Sequence, residues 1–283
     1  MPALPALLAK DQSLLLMTGR PPPPPWWITA GAALGLVLIA APLAALAGRV
    51  SVLGAWRALG LLATRQALWL SIGCAVSATL VALCLGLPLA LWLASGNGRR
   101  FALVRSLVLL PMVLPPLVSG MALLYLWGRR GALGPVLAAL GVSLPFSTAA
   151  VIVAQSFVAV PFVVMALEGA LLACGGELTA VAATFGAAPF RVLRTITLPL
   201  IGPALRSGAL LGFARALGEF GATALFAGNA PGITRTMPLA IYTAFNGGSG
   251  GQAGANALAL VLLVVAAGVM LAAGLWRSPR SAL

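Results

Sequence analysis

Two ionisable residues stand inside an otherwise apolar stretch of this chain: Arg215 and Glu219, in FARALGEFGATALFAGN. Burying an ion in hydrocarbon costs about 2.5–3.5 kcal/mol even on lenient insertion scales, so a charge at such a place marks a function. Four residues apart on a helix, the two share one face and can pair. Gly218 and Gly221 flank the acid, where they loosen the helix or admit a neighbouring backbone. Two kinds of chemistry fit: a structural ion pair that locks helices together, or a pair that lines or gates a polar path at a helix interface. The sequence leaves both open.

A second group is polar where its surroundings are not. Glu177–Pro199 reads ELTAVAATFGAAPFRVLRTITLP between two long apolar stretches. Ala180, Ala182 and Ala183 follow Glu177 as small helix formers, and Gly186 is placed to end their helix. Pro189 can open a second helix, because a first turn has no use for its missing N–H. Arg191 and Arg194 hold that piece at a water interface. A helix–glycine–helix elbow of this kind is suited to touching another protein; the plainer alternative is an amphipathic connector.

The elements that must position these residues are membrane spans. A chain 61% hydrophobic and 7% charged is an integral membrane protein, since soluble domains carry about a quarter charged residues. Spans of about 20 apolar residues are predicted over 28–48, 67–94, 106–128, 148–172, 200–226 and 255–276. The transmembrane region is thus 28–276, after an N-terminal segment 1–27 with a proline run from Pro21 to Pro25 and before a tail, 277–283. Pro111, Pro115 and Pro116 predict a kink in the third span. Gly31 and Gly35 in the first span, and Gly208 and Gly212 in the fifth, form G-x-x-x-G pairs that permit close helix approach. The segment Arg49–Arg65 reads as an interfacial helix on the outer surface.

Composition also removes whole classes of activity. With no His, one Lys (Lys10), one Asp (Asp11) and three Glu, a Ser–His–Asp triad, a His-based metal site and an aspartyl dyad are ruled out. Lys10 is not in a phosphate-binding loop, so energy from ATP must come through a partner. Cys74, Cys84 and Cys174 are odd in number and scattered, and read as packing residues. No catalytic residue, cofactor or metal is expected. The net charge of +13 fits arginines facing anionic lipid, not nucleic acid. With both termini inside, cytoplasmic segments hold more of the Lys and Arg residues than external ones, which puts the 177–199 loop in the cytoplasm.

The run Glu177–Pro199 resembles the signature loop of ABC-transporter permease subunits, E-A-A, three residues, Gly, nine residues, Ile, one residue, Leu-Pro. Ala182, Gly186, Ile196, Leu198 and Pro199 fall at that spacing; Ala180 and Val181 stand where the family has Glu and Ala, and Glu177 lies three residues earlier. In the family this loop docks on the ATP-hydrolysing subunit. The stretch Phe213–Tyr242 resembles the permeases of molybdate importers, whereas sulfate and thiosulfate permeases share its Arg-Ala-x-Gly-Glu core. LVLLPMVLPPLVSG and SLPFSTAAVIVAQSFVAVPF are also family-like, so the resemblance covers about residues 65–275.

The resemblance implies an all-α, six-span bundle of the type I ABC importer permease kind in the bacterial inner membrane. It further implies a homodimer, two cytoplasmic ATP-binding cassette subunits, and an external binding protein that delivers molybdate or tungstate. Glu177, Ala182, Gly186, Ile196, Leu198 and Pro199 would couple to the ATPase. Arg215, Gly218, Glu219 and Gly221 would belong to the translocation path or its gate. The alternatives are a sulfate or thiosulfate permease, an ion-coupled secondary transporter, and a membrane-embedded enzyme. Few intramembrane carboxylates disfavour the second of these, and missing catalytic side chains the third.

Overall fold

A computed structural model describes residues 24–248 and 251–275. Lys10, Asp11, most of the proline run, Trp276 and the tail 277–283 lie outside the described residues. Within them, all regular structure is helical. Four helices are long and apolar enough to cross a membrane, and two bent helix pairs bring the number to six if each pair is one span.

The first helix, α1 (Trp26–Gly48), belongs to a unit of its own that ends at Arg49. Its 23 residues reach about 35 Å at 1.5 Å per residue, enough for a hydrocarbon core of about 30 Å.

The second unit begins at Val50. In the predicted interfacial segment, α2 (Val52–Gly60) starts where Ser51 Oγ accepts the Gly54 N–H at 3.0 Å. Its Leu59 packs beside Ala67, Met237 and Val261. Three long helices then build the main core: α3 (Leu62–Ala94), α7 (Thr148–Cys174) and α10 (Gly202–Leu217). Ala75, Ala78 and Ala82 of α3 pack with Ala159, Val163 and Val164 of α7. A Cβ added at Gly86 would come within 2.9 Å of Val163, and one at Gly212 within 3.1 Å of it. Lipid is as apolar as leucine, so helices in a bilayer associate through close van der Waals contact, and small residues at the seam permit it.

Between α3 and α7 the chain makes α4 (Arg99–Val113), α5 (Pro116–Trp127) and the short α6 (Gly134–Ala139). The kink expected within 106–128 is a break: α4 and α5 meet at 116°. Leu114 is extended at φ −64°, ψ 135°, as the residue before a proline must be, and Pro116 can then only start a new helix.

Beyond α7 come α8 (Glu177–Thr184) and α9 (Pro189–Leu200), the latter bent by 70° from α10. Then follow α11 (Gly221–Phe226), α12 (Met237–Phe245) and α13 (Gly251–Leu275). The stretch expected as one fifth span over 200–226 is thus α10, three non-helical residues and α11.

Candidate functional site

The elbow is set by one glycine. Gly186 has φ +74°. Around it the Gly186 N–H donates to Ala183 O at 2.9 Å and the Ala187 N–H to Ala182 O at 3.1 Å, the two bonds of a Schellman cap. Glu177 sits exposed in the first turn of α8, and Ala182 is half-buried at its far end. Ala188 is extended before Pro189, which opens α9.

Within α9, Leu193–Thr197 forms a single π turn. Pro199 has no N–H to give to the carbonyl four residues back, so a local widening of the helix is the expected response. Ile196 and Leu198 are half-buried, Leu198 against the main core, while Pro199 is exposed. Two aromatic side chains that the sequence reading passed over face outward beside the turn: Phe185 is 86% exposed and Phe190 73%. Rings that exposed, flanked by Arg191 and Arg194, are suited to contact with another surface.

The second group lies at the end of α10. The helix expected to run on through Glu219 stops at Leu217, and Phe220 leaves the helical region at φ −127°, ψ −56°. The pair forms nonetheless: Arg215 Nη1 lies 2.5 Å from Glu219 Oε2, with the two side chains 29% and 1% exposed. The other carboxylate oxygen, Oε1, accepts the Ala222 N–H at 2.9 Å. Glu219 therefore works twice, as partner to a cation and as cap to the first turn of α11.

The glycines explain the break. A Cβ at Gly221 would lie 2.5 Å from Pro116 Cβ, and one at Gly120 would lie 3.0 Å from Ala222 Cα. The start of α11 thus rests on the start of α5 backbone to backbone, which a continuous α10 would not allow. Gly218 is exposed and borders a cavity of about 140 Å³ lined by Phe213, Leu217, Leu262 and Met270. Phe220 packs on Tyr242 with ring centroids 4.9 Å apart. The structure thus brings Arg215, Gly218, Glu219 and Gly221 to one junction, and places the six elbow residues on a separate element pair.

Other polar residues sit near this junction without any sequence signal. Ser119 of α5, Gln155 of α7 and Thr223 of α11 are buried, and their Oγ, amide and Oγ1 atoms have no hydrogen-bond partner among the described residues. Each lies one helical turn from a member of the same apolar cluster: Leu123, Val151 and Ala227. A buried polar group left unpaired costs about 1–3 kcal/mol. A second ion pair was also missed: Arg105 Nε donates to Glu168 Oε1 at 2.8 Å, and Arg105 Nη2 contacts the same oxygen.

Comparison with known proteins gives a consistent result. Residues 86–276 match the family model described as binding-protein-dependent transport system inner membrane component. The molybdenum transport system permease protein ModB of Mycobacterium tuberculosis (strain ATCC 25618 / H37Rv) is 48% identical over 240 residues, covering 85% of this chain and 90% of that protein. Its namesake from Escherichia coli (strain K12) is 40% identical over 202 residues, 71% of this chain and 88% of that one. Among solved structures, an inward-facing form of the MetNI methionine ABC transporter superposes with TM-score 0.57 at 18% identity, covering 74% of this chain and 91% of that chain. That likeness shows the fold.

Proposed function

Because the chain belongs to the binding-protein-dependent transport system inner membrane components, we propose that it is the membrane permease subunit of an ATP-driven molybdate importer. The observation that carries the substrate is the 48% identity over 240 residues to a molybdenum transport permease. As a member of this family it works with an ATPase and a binding protein, and is not itself the ATPase. The finer assembly we infer is two copies of this chain, two cytoplasmic ATPase subunits and one external binding protein. Both termini and the 177–199 elbow then face the cytoplasm. Cysteines at Ala188 and Asn246, in a background lacking the native three, test this: labelling of position 188 alone by an impermeant reagent in intact cells overturns it.

The elbow is the surface that receives the ATPase. Its support is the pair of exposed rings, Phe185 and Phe190, on either side of a turn held rigid by two backbone bonds. Closure of the ATPase subunits would press on α8 and α9, and the bend between α9 and α10 would carry that displacement toward Arg215 and Glu219.

The junction at 218–220 is the moving part of the path. A tetrahedral dianion cannot cross hydrocarbon unless fixed donors replace its water. Glu219 occupies one side of the Arg215 guanidinium, whose remaining N–H groups can meet an anion. The unpaired Ser119, Gln155 and Thr223 fit a junction whose hydrogen bonds change as it moves.

Deleting the gene should lower molybdoenzyme activity when molybdate is scarce, with rescue by excess molybdate. Sulfur auxotrophy with normal molybdoenzyme activity would instead make the substrate sulfate or thiosulfate.

A further inference from the structure

The Arg105–Glu168 pair has no place in the route from elbow to path described above, and its position gives it one. Glu168 is 7% exposed and lies six residues before the end of α7 at Cys174, about 9 Å along the helix axis. Gly175, at φ +65°, then turns the chain directly into α8. Arg105 stands on α4, whose first turn is anchored by Phe101, 5% exposed and stacked on Trp92 at 4.7 Å between centroids. The far end of α4 leads through Leu114 and Pro115 into α5, and α5 carries Pro116 and Gly120, the two residues against which α11 rests. Chain connections and contacts together therefore link the elbow, through Glu168 and Arg105, to α4, α5 and the junction that holds Glu219. That link does not pass through Pro199.

Adhesion alone does not account for these charges. Phe101, Val104 and Val108 of α4 already pack with Val164, Leu167 and Leu171 of α7 in the main apolar cluster. Glu168 is buried but the Arg105 side chain is 37% exposed, and an ion pair open to solvent on one side adds little adhesion. What the ion pair adds is direction: two guanidinium nitrogens converge on one carboxylate oxygen and fix the rotation and height of α4 against α7, which sliding apolar surfaces do not.

We propose that Arg105 and Glu168 are positioning residues for energy coupling, tying the root of the elbow to α4 so that movement of α8 displaces α5 and α11. The inference rests on the reading of the elbow as the ATPase-docking surface, and adds to it a second route to the path. The test uses the complete transporter in liposomes with ATPase and binding protein present. The double variant Arg105→Met with Glu168→Leu is compared with wild type for assembled yield, basal ATP hydrolysis and molybdate imported per ATP hydrolysed. Yield and basal hydrolysis should stay within about twofold of wild type, while molybdate per ATP falls about tenfold, the size expected when a coupling contact is lost. A double variant that imports molybdate per ATP as wild type does overturns the proposal. If it fails to assemble, Arg105→Lys decides, since it keeps the charge and loses the two-nitrogen grip. A fall of about threefold or more in molybdate per ATP supports the proposal; a wild-type ratio overturns it. A wild-type complex with no ATP-dependent molybdate uptake is a separate outcome, which brings down the function reading itself.

Discussion

The described residues hold two Arg–Glu pairs, and they differ in almost every respect but chemistry. Arg215 and Glu219 are four residues apart, and Glu219 is 1% exposed and also caps the next helix. Arg105 and Glu168 are 63 residues apart on different helices, with an arginine side chain 37% exposed. The first pair stabilises a break, because the same carboxylate closes the end of one helix and the start of another. The second joins two intact helices. One is a joint and the other a strut, and a single variant series can separate them.

The largest effect is expected at the joint. Removing either partner alone, by Arg215→Gln or Glu219→Gln, leaves its mate charged beside apolar packing and should cost about 3–5 kcal/mol. The double variant should recover most of the folded yield in detergent, because glutamine at position 219 can still accept the Ala222 N–H through Oε1. Transport in liposomes should stay defective. Full recovery of ATP-dependent uptake in the double variant would reduce the joint to a second strut.

A smaller effect tests what forces the break. Gly221→Ala puts a methyl group 2.5 Å from Pro116 Cβ, and overpacking of this kind costs about 1–3 kcal/mol. The melting temperature in detergent should fall, while Gly218→Ala, whose added Cβ lies 3.6 Å from Ala214 O, should change it far less. Equal melting temperatures for the two variants would mean that α11 does not need backbone contact with α5.

The smallest change in stability is expected at the elbow, beyond the strut. Gly186→Val forces a β-branched residue into φ +74°, a local penalty of about 1–2 kcal/mol. Space is not the problem, since nothing lies within 4 Å of the new Cβ. Membrane insertion should be unchanged and the melting temperature should fall less than in Gly221→Ala, yet uptake and stimulation of the ATPase should be lost. Normal uptake by this variant would remove the elbow as the docking surface and leave the strut nothing to transmit.

Glycine shows how far a motif can be read. Two of the sequence's G-x-x-x-G pairs lie inside predicted spans, with nothing in the sequence to rank them. Gly208 and Gly212 face α7, with Ala166 and Val163 at 3.2 and 3.1 Å from the built Cβ positions. The motif states what a helix face permits, and only the neighbouring helix decides whether the permission is used. Prolines behave similarly. Pro111, Pro115 and Pro116 announce a disturbance, but the angle of 116° between α4 and α5 and the approach of Gly221 to Pro116 are seen only in the folded chain.

Interactions within about one helical turn were legible because neighbouring residues encode them. Apolar stretches with few charges mark membrane helices, Gly186 between alanines and Pro189 marks the elbow, and a four-residue interval pairs Arg215 with Glu219. Nothing local links Arg105 to Glu168, puts Pro116 against Gly221, or buries Gln155 with no hydrogen-bond partner among the described residues. Those outcomes come from how α3, α4, α5, α7 and α11 share one interior, where close-packed backbones admit only a few arrangements. The short-range chemistry was therefore determined by the sequence itself, while the end of α10 at Leu217 and the strut from α7 to α4 were decided by tertiary packing, which sums contributions from segments far apart in the chain.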